Sequence, residues 1–176
     1  MGSFFVIIGV SKIYLMQLRP HQEKAIKAMS KHNKGQVIVP TGGGKTICMI
    51  QDAIEQFKSN RLKTIVVVAP RILLANQLCE EFLEFIDDVD VLHVHSGETH
   101  HTSTTKSKVI EEWYWASKKH QLIFTTYHSL HKIQDATAML PDTVYFDEAH
   151  NAVQKNFIEA VEHLSLIHIS EPTRPY

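Results

Sequence analysis

The stretch IVPTGGGKT, residues 38–46, contains the residue types best suited to chemistry in this chain. It follows an apolar run and opens a helical pattern, which is the context that a phosphate-binding loop requires. Its consecutive glycines allow a tight turn whose N–H groups point at phosphate oxygens, and the helix N-terminus behind them adds a partial positive charge. Lys45 can reach the β- and γ-phosphates, and the Thr46 hydroxyl can bind Mg²⁺. This stretch therefore predicts a nucleoside-triphosphate site.

The residues that we expect to contact the phosphates and the metal are consecutive: Thr41, Gly42, Gly43, Gly44, Lys45 and Thr46. The general pattern G-x-x-x-x-G-K-[ST] would place a glycine at position 39, where this chain has Val39. This departure leaves one alternative open, in which GGGKT occurs at a strand–helix junction by chance.

A second motif with chemical potential is VYFDEAH, residues 144–150, in which an apolar strand ends in two adjacent carboxylates. We expect Asp147 to hold Mg²⁺ through its water shell, facing Thr46, and Glu148 to polarise the attacking water. A lone Asp-Glu pair is usually a solvated surface feature. Next to a phosphate loop on a neighbouring parallel strand, the same pair indicates a hydrolytic site.

The elements that must position these motifs alternate between β-rich runs and helical periods. The predicted strands are 36–40, 64–70, 90–96, 121–127 and 143–149, and the predicted helices are 21–32, 44–58, 71–86, 107–119 and 151–163. The run TIVVVAP, 64–70, is nearly continuous in apolar residues, as expected for a strand buried on both faces. This order predicts an α/β fold with a mostly parallel sheet of five or more strands and helices on both faces.

Three local patterns carry their own predictions. In the helix 71–86, an apolar face is predicted from Leu73, Leu74, Leu78, Phe82 and Ile86. The polar stretch 95–108 is predicted to be an exposed loop. Trp113 and Trp115 would point about 200° apart on a helix, so the inward ring is expected in the core and at most one ring can serve any one surface.

His93 and His95 share one face of a predicted strand and raise the question of a metal site. No cysteine is near them in the sequence and no ligand-spaced helix follows, so we expect strand and loop polarity instead. The two cysteines, Cys48 and Cys79, lie far apart in apolar helical contexts and are predicted to be buried free thiols.

TGGGKT and DEAH resemble motifs I and II of superfamily 2 helicases and translocases, and the PTGGGKT form is most similar to the branch of restriction-enzyme translocating subunits and phage or repair helicases. The resemblance covers residues 18 to about 163. It implies a RecA-like domain that binds ATP with Mg²⁺ and acts on DNA, single-stranded or duplex, with RNA left open. It also implies that His150 couples the nucleotide site to a second domain, although local hydrogen bonding of this histidine is an equal alternative.

Smaller motifs follow in the order of that family. LRPHQEKAI (18–26) resembles the segment in which a glutamine reads the adenine edge, which makes Gln22 the candidate for nucleotide selectivity. Its alternative is a surface helical glutamine. The segments VVVAPRILLANQ and TTYHSL resemble motifs Ia and Ib, which contact nucleic-acid phosphates. The residues implied are Arg71, Gln77, Thr125 and Thr126, and for the two threonines helix capping is the competing explanation.

The two ends of the chain differ from the rest. Met16 opens the first well-patterned helix, so residues 1–15 are either an upstream extension or a true N-terminal strand. The last stretch, LSLIHISEPTRPY (164–176), resembles the conceptual translation of a transposase-adapter oligonucleotide used in sequencing libraries. Its alternative is a natural strand followed by a proline-containing coil. We therefore expect an incomplete ATP-binding domain over 16–163, lacking a partner domain that would supply an arginine finger.

Bulk composition sets the remaining limits. The chain has 176 residues, 44% of them apolar, which suits one compact domain, and its net charge of −1 announces no global affinity for nucleic acid. No apolar run approaches the roughly 18 residues of a membrane span, and secretion is not expected because no basic residue precedes FFVIIGV. We expect a cytoplasmic location in a bacterium or phage-infected cell. The alternative functions are a restriction-system motor subunit and a binding module without turnover.

Overall fold

The structure is a computed structural model that describes residues 17–31, 34–39, 44–136, 139, 141–147 and 167–172, with the backbone alone for 34–39 and 167–172. Its strands are β1 (Lys34–Val39), β2 (Thr64–Ala69), β3 (Val89–Val94), β4 (His120–Thr126), β5 (Thr143–Phe146) and β6 (Ile167–Pro172). Its helices are α1 (Pro20–Met29), α2 (Lys45–Phe57), α3 (Ile72–Leu83), α4 (Ser107–Ala116) and α5 (Leu130–Asp135).

The six described strands form one parallel sheet in the order β1-β6-β5-β2-β4-β3. Strands that run parallel and alternate with helices confirm the predicted α/β fold. In this register Val68 lies opposite Phe146, so the strand that leads to Asp147 is a direct neighbour of β2. The carboxyl ends of the strands meet at one edge of the sheet, where open α/β sheets bind their ligands.

Two apolar cores cover the faces of the sheet, and β2 contributes to both. Val66 and Val68 pack with α4 and α5, whereas Ile65, Val67 and Ala69 pack with α1, α2 and α3. All six residues of β2 are buried, which confirms that this apolar run is covered on both faces. The layers are therefore helix, sheet and helix.

The predicted elements that fall on described residues match the observed ones closely, with two main differences. The strand predicted to run to residue 149 ends at Phe146, and Asp147 lies in the turn that follows. The short helix α5 was missed, because its six residues present only two buried apolar positions, Leu130 and Ile133, too few to show a helical period. The predicted helix 151–163 lies outside the described residues.

One prediction for α3 was wrong. Leu73 was placed on the apolar face, but its side chain is 70% exposed. The buried face is made by Ala75, Leu78, Cys79 and Phe82, and nine residues at 100° each place Leu73 about 180° from Phe82. The tryptophans behave as predicted, since Trp113 packs on the core and Trp115 is exposed.

The polar stretch after β3 is only partly the exposed loop that was predicted. His95 is buried, and the loop returns along the outer strand β3 with hydrogen bonds from His93 N–H to Thr102 O and from Thr104 N–H to His93 O, both 2.9 Å. The return pairs the otherwise open edge of β3. The helix α4 then begins at Ser107.

The strand β6 consists of residues from the adapter-like tail. Its backbone pairs in parallel with β1 on one side and β5 on the other. Apolar and polar residues alternate in this segment, as in many strands, and such a pattern can form a strand whether or not the residues come from a sequencing adapter. The pairing therefore does not test the predicted adapter origin. Within the described residues, no helix is long and apolar enough to cross a membrane.

Cys48 and Cys79 are buried free thiols, as predicted. Burial raises the pKa of Cys48 to about 11 and that of Cys79 to about 12, so both thiols are protonated near neutral pH.

Candidate nucleotide-binding site

The two chemical motifs meet in an ion pair. Lys45 Nζ lies 2.7 Å from Asp147 Oδ1, and their side chains are 20% and 9% exposed. Lys45 is the first residue of α2, and Asp147 follows β5 directly. The fold thus brings a cation suited to phosphate and a carboxylate suited to a metal ion to the same point of the sheet edge.

The helix α2 begins at a glycine that no other residue could easily replace. Gly44 precedes the helix with φ +73° and ψ +48°, in the left-handed region that favours glycine. A Cβ atom at this position would lie 2.4 Å from Gln22 Nε2. The absence of a side chain at Gly44 therefore permits both the turn into α2 and the close approach of α1.

Gln22 is buried, and its side chain connects α1 to the residue that precedes α2. The alternative interpretation, that Gln22 lies on the helix surface, is therefore wrong. Gln22 Nε2 donates to Gly44 O at 3.2 Å, and its Oε1 accepts from Arg19 N–H at 2.8 Å. The second contact caps α1, which begins at Pro20, a residue suited to the first helical turn. The amide is thus fixed beside the phosphate-loop helix.

Asp147 is held through its backbone as well as through its ion pair. Its N–H donates to Val68 O at 2.8 Å, and its carbonyl accepts from the Tyr127 hydroxyl at 2.9 Å. The first contact continues the pairing of β5 with β2 by one residue. The second ties Asp147 to the end of β4, so the carboxylate has a fixed position.

A buried polar network joins α2 to β5 behind the ion pair. The Tyr145 hydroxyl donates to Asp52 Oδ2 at 2.5 Å, and Gln56 Nε2 donates to the same oxygen at 2.8 Å. The Thr143 hydroxyl donates to Gln56 Oε1 at 2.7 Å. Burial raises the pKa of Tyr145 well above its ordinary value, and the neighbouring Asp52 adds to the effect. This network fixes the helix that carries Lys45 to the strand that leads to Asp147.

No sequence motif indicated Glu81, which approaches the site from α3. The Thr46 side chain lowers the pKa of the Glu81 carboxylate, which indicates that the two side chains are close to each other. Burial raises the pKa of Glu81, the contact with Thr46 opposes that rise, and the negative charges of Glu84 and Asp147 add to it. A carboxylate in the last turn of a helix is common, so only the packing of α3 on α2 reveals this contact.

The four residues implied in nucleic-acid contact fall into two groups. Arg71 and Gln77 are exposed at the start and middle of α3. Thr125 and Thr126 are buried: the Thr125 hydroxyl donates to Val94 O at 2.8 Å, and the Thr126 hydroxyl accepts from Ser129 N–H at 3.3 Å. Contact with nucleic acid through these two hydroxyls would require those bonds to break.

Part of the predicted site lies outside the described residues: Thr41, Gly42, Gly43, Glu148 and His150. Within the described part, Gln22, Gly44, Lys45, Thr46 and Asp147 lie along one connected set of contacts.

The family relationship follows from the sequence as a whole. Residues 15–171 match the family described as "Type III restriction enzyme, res subunit". The chain belongs to this family. The match confirms the predicted relation to superfamily 2, and the chain is a helicase-type ATPase domain with a RecA-like fold.

Solved structures share this fold at low sequence identity. A nuclease-deletion mutant of the Type ISP restriction-modification enzyme LlaGI, in complex with a DNA substrate mimic, superposes with a TM-score of 0.76 at 21% identity, over 92% of this chain and 18% of that one. The Hef helicase domain of Pyrococcus furiosus gives 0.72 at 20% identity, over 95% and 36%. The UvsW helicase of bacteriophage T4 gives 0.63 at 13% identity, over 90% and 53%.

The chain spans less than a fifth of the length of the restriction-modification enzymes that it resembles. No curated protein sequence matches it significantly.

Proposed function

We propose that the chain binds ATP with Mg²⁺ at the Lys45–Asp147 site and that the complete protein couples ATP hydrolysis to movement along DNA. The ion pair carries this proposal, because it places a phosphate-seeking cation 2.7 Å from a buried carboxylate at the carboxyl edge of a parallel sheet. The N-terminus of α2 lies at the same point and favours an anion.

Each described residue has a proposed role that fits its contacts. Lys45 leaves Asp147 for the phosphates, and Asp147 together with the Thr46 hydroxyl offers the hard oxygen ligands that Mg²⁺ prefers. When bound, Mg²⁺ neutralises charge that develops on the transferred phosphoryl group. Glu81 holds the Thr46 side chain in the absence of nucleotide.

The remaining residues of the motifs keep the roles that the family implies. Thr41, Gly42 and Gly43 complete the phosphate loop, Glu148 polarises the attacking water, and His150 couples the site to a second domain.

Gln22 is proposed to select adenine. Its amide is already fixed beside Gly44, so a base can be read by an oriented donor and acceptor without ordering a free side chain. Replacing Gln22 by alanine should leave Mg²⁺-dependent binding of the triphosphate in place but reduce the preference for ATP over GTP. Unchanged preference in the variant would remove Gln22 from this role.

Nucleic-acid binding is proposed from the surface of α3 and from the relatives. Structures of similar fold are complexes with DNA. Arg71 and Gln77 are exposed and can meet phosphates, whereas Thr125 and Thr126 would act through the backbone at the end of β4.

The division of the chain into domains is also a proposal. In this proposal, residues 16–163 form the ATP-binding domain, residues 1–15 are an extension and residues 164–176 are adapter-derived. A second RecA-like domain supplies an arginine finger, whose contribution can reach about 10³ to 10⁵ in rate. The proposed location is cytoplasmic.

Phosphate release by the 176-residue chain, with and without duplex DNA, tests this function. We expect the chain to bind MgATP but to turn it over slowly and without response to DNA, because in this proposal the arginine finger comes from a second domain. Rapid DNA-stimulated hydrolysis would contradict the need for a second domain. Failure of the folded chain to bind MgATP would contradict the function itself.

A motor subunit of a restriction system is the second candidate, and the family match favours it. A nuclease domain or nuclease partner encoded with the complete gene would distinguish this motor from a free helicase. A binding module without turnover would instead show no hydrolysis when a second domain is supplied.

A further inference from the structure

Three metal-ligating side chains converge beside β3, and none of them belongs to the nucleotide site. Cys79 lies on α3, His93 on β3 and His101 in the loop after β3. The Cys79 Sγ and one ring nitrogen of each histidine lie within 4.8 Å of one another. Cys79 is distant from His93 in the sequence, but α3 packs on β4, the neighbour of β3, and brings the thiol close to the His93 ring.

The His93 ring has a nitrogen that needs a ligand. His93 is fully buried, and its Nδ1 lies 3.0 Å from His95 Nε2. Its Nε2 is buried and has no hydrogen-bond partner among the described residues. Since buried polar atoms are almost always paired, an unpaired ring nitrogen beside a thiol and a second imidazole indicates an absent ligand.

The backbone places His101 next to His93. His93 makes two backbone hydrogen bonds, to Thr102 and from Thr104. The rings of His93 and His101 stack with centroids 5.6 Å apart and planes at 9°, so the exposed His101 ring must rotate to direct a nitrogen at a metal ion that His93 also binds. From the other side, Asn76 Nδ2 on α3 donates to Glu98 O at 3.1 Å. The ligands are therefore brought together by contacts that do not depend on a metal ion.

The donor set selects the class of metal. One thiolate and two imidazoles suit Zn²⁺, and they do not suit Mg²⁺ or Ca²⁺, which prefer oxygen. Tetrahedral zinc keeps such ligands roughly 3.3 to 3.6 Å apart, so the side chains must close by about 1 Å. His101 is exposed on a loop and can move by this amount.

Cys79, His93 and His101 line a pocket of about 810 Å³ together with Asn76. Asn76 Oδ1 is also buried, and no described residue is its hydrogen-bond partner. It can accept a hydrogen bond from a metal-bound water.

We propose that Cys79, His93 and His101 bind a zinc-class divalent metal that fastens the loop 95–106 onto α3. The same helix carries Arg71 and Gln77, so the metal steadies the surface next to the proposed nucleic-acid contacts. The site has a structural role and takes no part in ATP hydrolysis.

Metal binding has a defined proton balance. Gly97 N–H donates to His95 Nδ1 at 3.2 Å, which places the proton of His95 on Nε2 and that of His93 on its own Nε2. For His93 Nε2 to bind metal, each ring moves its proton to Nδ1, and His93 then donates to His95. Gly97 N–H loses its acceptor, and the Cys79 thiol proton is released to solvent. One proton therefore leaves for each metal ion bound.

Titration of the full chain with Co²⁺ tests the site, because a cysteine ligand gives a thiolate-to-cobalt charge-transfer band that the 12 histidines of the chain cannot produce. We expect one Co²⁺ per chain, displacement by Zn²⁺ and a shift of the Gly97 amide resonance. Cys79→Ser should abolish the band, and Cys48→Ala should keep it. His101→Ala should weaken binding by at least about 10-fold, whereas His100→Ala, an exposed neighbour in the same loop, should not.

Circular dichroism establishes that each variant is folded before titration. A folded wild-type chain without the charge-transfer band would overturn the proposal. Equal Co²⁺ affinity in His101→Ala and His100→Ala would overturn it as well, because the exposed histidine would then not be a ligand.

Discussion

Lys45 Nζ and Asp147 Oδ1 lie 2.7 Å apart, so the two chemical motifs neutralise each other in the absence of nucleotide. Both charged side chains are largely shielded from solvent, and each one compensates the charge of the other. In the proposed function, the phosphates of MgATP would replace Asp147 as the partner of the Lys45 ammonium, and the hydrated metal would replace Lys45 as the partner of the carboxylate.

Removing the lysine should destabilise the nucleotide-free chain. Lys45→Ala leaves the Asp147 carboxylate buried without its cation and should lower the free energy of unfolding by about 1 to 3 kcal/mol. Urea denaturation measures this loss. The double variant Lys45→Ala/Asp147→Asn should lose less unfolding free energy than the two single variants together, because it leaves no unpaired carboxylate at position 147. Additive losses would show that the two side chains do not interact.

The buried network behind the site should be sensitive to one hydroxyl. Tyr145→Phe removes the donor to Asp52 and should cost about 1 to 3 kcal/mol, since a buried carboxylate loses a partner. Tyr114→Phe is the matched control. Tyr114 accepts a hydrogen bond from Gln121 Nε2 through its backbone carbonyl, at 2.9 Å, and the substitution leaves that contact in place. Thermal denaturation should separate the two variants clearly. Equal melting temperatures would mean that water replaces the Tyr145 hydroxyl.

The turn into α2 should tolerate no side chain at Gly44. Gly44→Ala places a Cβ 2.4 Å from Gln22 Nε2 and forces an L-residue to φ +73°, which costs about 1 to 2 kcal/mol before the clash is counted. Gln22→Ala removes the clash but also its own hydrogen bonds, so the double variant should lose less stability than the sum of the two single variants. A chemical-denaturation series of the three variants tests this non-additivity. Strictly additive losses would show that the clash contributes nothing.

Stability should fall in mild acid because of His120. Burial lowers its pKa, and its Nδ1 accepts from Lys63 N–H at 3.0 Å, so the neutral ring is favoured in the folded chain. A hydrogen bond to the Phe57 backbone and the charges of Asp142 and Asp88 partly oppose the shift. The contribution is present in full above the unfolded pKa of about 6.5 and declines as pH falls through that value toward the lower folded pKa.

Urea denaturation from pH 8 to 5 checks this dependence against His120→Gln, which keeps an acceptor but does not titrate. The variant should lose less stability than the wild type over this range. Identical pH profiles would exclude His120 as the source.

The sequence predicted what depends on consecutive residues and missed what depends on packing between elements. The helix that begins at Lys45, the strand that leads to Asp147 and the apolar β2 are continuous stretches, so their residue patterns were sufficient to predict them. Glu81 approaches Thr46 because α3 packs on α2, and Cys79 approaches His93 because α3 packs on β4, the neighbour of β3. No periodicity along the chain records such contacts. For Gln22, both the sequence and the structure were needed. The sequence motif made it a candidate, and the structure shows that its side chain is buried next to Gly44.

The central claim is that MgATP binds where Lys45 meets Asp147, and calorimetric titration of the chain with MgATP tests it most directly. The account predicts one site per wild-type chain that requires Mg²⁺, is lost in Lys45→Ala and is kept in Lys108→Ala, an exposed lysine of α4. A folded wild-type chain that does not bind, or Lys45→Ala binding as tightly as Lys108→Ala, would contradict it.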